Sequence, residues 1–255
     1  DLPHISIQDS WNKLKDTCGG APSQGPGWRK NPQFILRVTK KESITIQLSQ
    51  SPMENMPYIA FFLFRSQYEN RKIVTYADKK FSPDAFLNRT LVSATLTLEE
   101  GAYVIMCATH LPDQENDFTI EVKGRYAELS PAIPWRQQII KSGWTTQLCG
   151  GCINHATWRS NPSFFLEVFH TTQIIFILSP ERSDVGSGFY VLDHGTSQDV
   201  PLHKSVFTIG SVTKEVSLKP GQYEVVTTTF IPTLKCPFSF FVFSDKHVDV
   251  SPLVQ

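Results

Sequence analysis

Apolar residues in this chain alternate with polar ones or gather in short runs. They do not recur at the spacing of a helical face. In the first half the pattern predicts strands over 34–38, 43–48, 59–64, 72–76, 91–98, 103–109 and 118–122. In the second half it predicts them over 164–169, 173–178, 188–192, 205–208, 213–218, 223–230 and 238–243. These stretches are rich in Val, Ile, Thr, Phe and Tyr, which pack well on a pleated, half-buried surface. Roughly eight strands in each ~120 residues, separated by turn signals, describe an antiparallel sandwich. The expected fold class is all-β: two tandem antiparallel eight-stranded sandwiches.

Two copies are expected because the sequence repeats itself. Cys18-Gly19-Gly20 returns as Cys149-Gly150-Gly151, and the stretch from Trp28 to Phe34 returns as Trp158 to Phe164. Ser10-Trp11 is answered by Gly143-Trp144. Later, Glu100-Gly101-Ala102-Tyr103 matches Pro220-Gly221-Gln222-Tyr223, with Pro112 and Phe118 matching Pro232 and Phe238. The offset is 130 at Trp28/Trp158 and 120 at Tyr103/Tyr223, so the first copy carries about ten extra residues, placed between Gln67 and Leu91. Residues 127–134 hold two prolines and read as a short, stiff connector. The domains are therefore set at 1–130 and 131–255. Within each, the glycine pair permits a tight turn or a close backbone approach. Trp28 and Trp158 are expected to plug one end of the sandwich. Tyr103 and Tyr223, just after turn dipeptides, are expected to bury their rings and place their hydroxyls on backbone or water.

Composition narrows the partners. The chain has 255 residues, 40% of them hydrophobic, so each half can bury a core of its own. Its 24 basic and 24 acidic residues cancel, which argues against nucleic acid and against a broad anionic-membrane footprint. Five cysteines, an odd number sparsely placed, suggest free thiols in a reducing, cytoplasmic setting. The sequon Asn88-Arg89-Thr90 is of a kind that arises by chance. No apolar run approaches the ~20 residues of a membrane span. A start at Asp1, in what reads as mid-protein sequence, leads us to expect a piece of a longer protein.

The string Cys149-Gly150-Gly151-Cys152-Ile153-Asn154, followed by Trp158-Arg159-Ser160-Asn161-Pro162-Ser163-Phe164, resembles the start of the calpain-type β-sandwich, the C2-like domain III. Phe241-Val242-Phe243-Ser244-Asp245-Lys246 resembles that domain's last strand. The first copy keeps Gly19-Gly20 and the Trp28 to Phe34 motif, but Ala21 stands where the second cysteine would be; the resemblance is clearer in the second copy. Two such domains in tandem resemble the C-terminus of an atypical, PalB-like calpain. The resemblance implies a parent calpain-like cysteine endopeptidase whose protease core lies upstream. Neither that core's Gly-Asp-Cys-Trp motif nor its His and Asn segments occur in this chain.

Each candidate for chemistry has a competing structural explanation. Cys149-x-x-Cys152 with His155 invites zinc or redox chemistry, but a structural zinc needs four ligands and a redox pair needs a βαβ setting. None of the seven histidines, His4, His110, His155, His170, His194, His203 and His247, sits in a catalytic motif. Calcium wants six to eight converging oxygens. The loop Ser51-Pro52-Met53-Glu54-Asn55-Met56-Pro57 offers one carboxylate, and Ser179-Pro180-Glu181-Arg182-Ser183-Asp184 offers two flanking an arginine. Asp113, Glu115 and Asp117 form the best local cluster. Lys40-Lys41 and Lys79-Lys80 are isolated basic pairs, each charge worth about 1 kcal/mol at an anionic surface. No catalytic, cofactor-binding or metal residue is assigned, and no cofactor is expected. The expected function is non-catalytic: a C-terminal tandem that regulates or scaffolds the upstream protease core and binds protein partners or substrates. The alternative is a peripheral phospholipid-binding module, calcium-assisted, with weak lipid contact.

Overall fold

Nineteen strands and no α-helix make up residues 2–196 and 199–253, the part of the chain described by this computed structural model. They fall into two units, Asp1–Pro134 and Trp135–Gln255.

The first unit holds β1 (His4–Trp11), β2 (Gln33–Val38), β3 (Glu42–Gln50), β4 (Ile59–Arg65), β5 (Lys79–Phe81), β6 (Leu91–Leu98), β7 (Gly101–Thr109), β8 (Asn116–Lys123) and β9 (Ala127–Pro131). One sheet runs β1-β8-β3-β6 and the other β5-β4-β7-β2-β9, with every neighbour antiparallel. Alternation decides which side chains meet between them. Ile44, Ile46 and Leu48 of β3 and Ile120 and Val122 of β8 face Phe34, Leu36, Leu63 and Ile105 from the other sheet in one continuous core.

β4 and β7 read as unbroken apolar runs because their sheet is covered on both faces. Ala60, Phe62, Phe64, Val104 and Met106 point away from that core, into a second cluster roofed by Trp28, Ile73 and Phe86. Trp28 precedes β2, while Ile73 and Phe86 come from the long connection between β4 and β6. Ile73 is anchored there by its backbone N–H, which donates to Gln33 Oε1 at 2.9 Å. The strand expected over 72–76 is thus a capping loop.

The second unit repeats the plan with β10 (Arg136–Trp144), β11 (Ser163–Val168), β12 (Thr172–Pro180), β13 (Gly186–Asp193), β14 (His203–Lys204), β15 (Thr208–Ile209), β16 (Val212–Leu218), β17 (Gly221–Thr229), β18 (Cys236–Ser244) and β19 (Val248–Pro252). Its sheets run β10-β18-β12-β16 and β14-β13-β17-β11-β19, with β15 also pairing β13. Strand for strand this is the order of the first unit. Cross-strand register refines the offset. Arg65 and Asp193 occupy equivalent places opposite Tyr103 and Tyr223, and Leu98 and Leu218 opposite Glu42 and Thr172. The offset is therefore 128 at Arg65/Asp193 and 120 at Leu98/Leu218, so eight extra residues lie between β4 and β6.

Several expectations change. Among the described residues the units contain nine and ten strands instead of eight each. Outside the stretches read from the sequence lie β1 and β10, which open the units, β9 and β19, which close them, and the short β5. Residues 127–131, expected to be connector, pair with β2 as β9, and the proline at position 131 ends that strand at the sheet edge, where a missing N–H costs little. The strand expected over 205–208 is replaced by the short β14 and β15.

Trp28 and Trp158 do not cap the inter-sheet core. They lie on the outer face, Trp158 with Tyr190, Leu192 and Val226. The core tryptophans are Trp11 and Trp144. Their indole N–H groups donate to the carbonyls of Cys107 at 3.0 Å and Thr227 at 3.1 Å, and their rings meet Phe118 and Phe238 at 4.4 and 4.5 Å.

Candidate functional site

The glycine pairs are folding corners. Gly20 and Gly151 sit at φ +73° and +77°, and a Cβ on either would approach the backbone nitrogen of Pro112 or Pro232 to 2.7 or 2.8 Å. Only glycine satisfies both demands. A wholly buried asparagine secures each corner. Asn31 accepts from Gly19 N–H at 2.9 Å and donates to the Gly20 carbonyl at 2.8 Å, and Asn161 donates to Gly151 at 2.9 Å. Tyr103 and Tyr223 likewise donate to the carbonyls four residues back, Glu99 at 2.9 Å and Lys219 at 2.7 Å.

The candidate ligand groups are drawn into local structure. Glu115 accepts the Lys13 backbone N–H at 3.0 Å, and Asp113 takes the left-handed turn conformation at φ 62°. In the loop after β3, Gln50 and Asn88 donate to the carbonyls of Pro57 and Met56 at 2.9 and 2.6 Å. Asp184 pairs with Arg182 at 2.7 Å, which holds its carboxyl below the usual range. Among the described residues no three His, Cys, Asp or Glu side chains gather as a metal site would require. All five thiols are free. Burial, then the nearby Glu115 and Asp113 carboxylates, raises the Cys18 thiol, and burial raises Cys107 well above its ordinary value. Such thiols resist becoming thiolates. His155 meets Cys152 through the backbone, N–H to carbonyl at 2.9 Å. His247 pairs with Asp249 at 2.9 Å on the surface. The lysine pairs are occupied too. Lys41 pairs with Glu99 at 2.5 Å and Lys80 with Asp78 at 2.7 Å, while Lys40 and Lys79 lie over the rings of Tyr126 and Tyr76.

Two of the recesses in the first unit flank β6, a strand the sequence predicted without assigning it a role. β6 ends its sheet, while β4 and β5 end the facing one, and a seam opens between these edges. Toward Leu91 a groove of about 240 Å³ is lined by Phe61, Phe81, Pro83, Leu87, Val92 and Arg89. Toward Leu98 a cleft of about 390 Å³ lies between Leu96, Lys80, Tyr103 and Arg65. The Arg65 guanidinium lies 4.9 Å over the Tyr103 ring and donates to the Tyr103 hydroxyl at 2.9 Å and the Glu100 carbonyl at 3.3 Å. Val92, Ala94 and Leu96 point inward yet stay only partly buried. At the equivalent strand β16 the inward Val212 and Val216 are 2% and 4% exposed, and Lys214 stands where β6 has Ala94. A signal for this was present in the sequence, since 91–98 contains no charged residue at all.

The family model described as calpain large subunit, domain III, matches residues 7–122. The match falls on the first half, although the second carries the fuller motif. A Dictyostelium discoideum protein named serine/threonine-protein kinase 4 homolog B is 29% identical over 86% of this chain and 23% of its own length. A putative calpain-like cysteine protease A from the same organism is 25% identical over 98% of this chain and 43% of its own. The calpain-like protease palB of Emericella nidulans is 25% identical over 45% of this chain and 14% of its own. The chain thus spans less than half the length of each of these relatives.

Proposed function

From the match of residues 7–122 to the calpain domain III model, we propose that the chain is a non-catalytic tandem of such domains belonging to a PalB-like, calpain-like cysteine protease. In this reading it regulates or scaffolds a protease core elsewhere in the same protein and binds protein partners or substrates. The observation that carries it is the pairing of relatives. Most of this chain aligns with a protein named as a kinase and with one named as a cysteine protease. A stretch common to two different chemistries is a portable accessory module, and function lives in sites grafted onto such folds. The second unit's strand order, identical to the first's, supports reading it as a second domain III. Five free thiols suit a reducing, cytoplasmic setting. No described helix is long and apolar enough to cross a membrane.

The test is proteolysis by the parent protein with and without this tandem, together with capture of its substrates. Loss of regulated cleavage or substrate capture on deletion is the expected result. Unchanged proteolysis and unchanged partner binding would remove the proposal. Liposome co-sedimentation with and without calcium separates the lipid alternative, which no observation favours once the lysines are seen to be engaged.

A further inference from the structure

We propose that β6 and the seam beside it accept one extended, carboxylate-bearing segment of a protein partner as an added strand. This deepens the partner-binding part of the reading above and rests on it.

An edge strand exposes a row of unpaired N–H and C=O groups, and natural edges are blunted by charge, proline or shortness to prevent unwanted pairing. The longer edge strands show this here. β1 carries Asp9, β9 carries Glu128 and ends at Pro131, and β10 carries Arg136 and Lys141. β16 carries Lys214 and Glu215, and β19 carries Asp249 and ends at Pro252. β6 alone among them has neither charge nor proline over eight residues, Leu-Val-Ser-Ala-Thr-Leu-Thr-Leu. Its hydrogen-bonded partner is β3 on one side only. The half-buried Val92, Ala94 and Leu96 leave apolar surface that an added strand's inward side chains would cover, as strand-addition sites do.

Charge selects the occupant. Arg89 lines the groove at one end of β6 and Arg65 the cleft at the other, and neither has a carboxylate partner among the described residues. The nearby Asp78 and Glu99 are already neutralised by Lys80 and Lys41. Nine residues of strand span about 26 Å, so the segment would carry its carboxylates about eight residues apart, an even spacing that keeps both on the seam face with alternating apolar positions between. A second copy of this chain fits worse. Pairing β6 with itself would bring a second Arg65 and Arg89 to the seam and no carboxylate from the strand. The second unit, with β16 charged, lacks the site.

The test uses the 255-residue chain and a labelled, acetylated nonapeptide with Glu at both ends and alternating Thr and Val between. Saturable binding by fluorescence anisotropy is expected, with slowed hydrogen exchange at amides 91–98. Arg65→Gln with Arg89→Gln should weaken it about tenfold. Ala94→Lys should abolish it, and Lys214→Gln on β16 should leave it unchanged. Leu91→Lys, at an already exposed position, serves if Ala94→Lys proves unfolded by circular dichroism. Absence of saturable binding, equal binding of a peptide with Lys at both ends, or protection that leaves 91–98 unaffected would overturn the proposal. So would concentration-dependent dimerisation broken by Ala94→Lys, which would make a second copy the occupant. The assay contains no protease core, so its failure removes the seam while the deletion test of the tandem stands separately.

Discussion

Asn31 shows how much one side chain fixes in this fold. It is wholly buried and joins the Gly19 N–H to the Gly20 carbonyl, two backbone groups of a buried corner. Removing a partner from a buried polar group costs about 1–3 kcal/mol for each group left unpaired. Asn31→Ala is therefore expected to lower unfolding free energy by about 2–4 kcal/mol, read as a shifted urea midpoint with an unchanged slope. Asn161→Ala should cost a similar amount in the second unit. A shift below about 0.5 kcal/mol in either would contradict the corner's role. Arg182 and Asp184 behave differently because both are exposed. Asp184's depressed folded value means that the pair's contribution is present above the ordinary carboxylate range and fades as pH falls through the depressed value. Solvent screening keeps that contribution small. Arg182→Gln should raise the Asp184 value toward the ordinary carboxylate range in an NMR pH titration, while the melting temperature stays unchanged.

At the scale of elements, what the sequence made legible was what alternation or continuous apolar character announces. β2, β3, β4, β6, β7 and β8 and their counterparts were readable because their inward positions are buried by a facing sheet. β1, β9, β10 and β19 were not, since few of their residues are buried and several, such as Gln8, Asp9 and Glu128, look like loop. The motif tryptophans misled for a related reason. A tryptophan next to a structural motif signals a buried ring, but sequence does not say which face of a sheet it covers, and Trp28 covers the outer one. The seam beside β6 could be read only by contrast with other edges, and that requires knowing which strands are edges. The extra residues between β4 and β6 have a definite structural role, since that connection supplies Ile73 and Phe86 to the roof over Phe62, Phe64 and Met106. Ile73 is the fully buried centre of that roof. Ile73→Ala should destabilise the first unit by about 2–5 kcal/mol and leave the second unit's unfolding unaffected. Ile73→Asp should expose the outer face of the sheet and raise dye binding to apolar surface, a readout of the roof lifting.

For the whole molecule, the repeated strand order means that each unit carries the same structural parts. Each has its own two-sheet core, its own indole-to-carbonyl hydrogen bond, its own glycine corner and its own tyrosine-to-carbonyl hydrogen bond. A core of this size in a unit of about 120–130 residues lies within the range where single domains fold without staples. Residues 1–134 and 135–255, produced separately, are each expected to give a β-type circular-dichroism spectrum and one cooperative melt. If either came out unfolded, the units would depend on each other for folding. Asymmetry between the copies is then where function is free to differ. The second unit charged its β16 edge, while the first kept an uncharged β6 edge and has the larger cover over its other sheet. Two copies under the same folding demands keep the same corners, so a difference confined to one edge strand and the connection beside it is one that folding does not require. That is why β6, and not the shared motif, is the place to change first. Ala94→Lys in the first unit should disturb partner binding with little loss of stability, whereas Gly20→Ala at the shared corner should disturb stability at once, the two being separated by melting temperature measured beside peptide affinity.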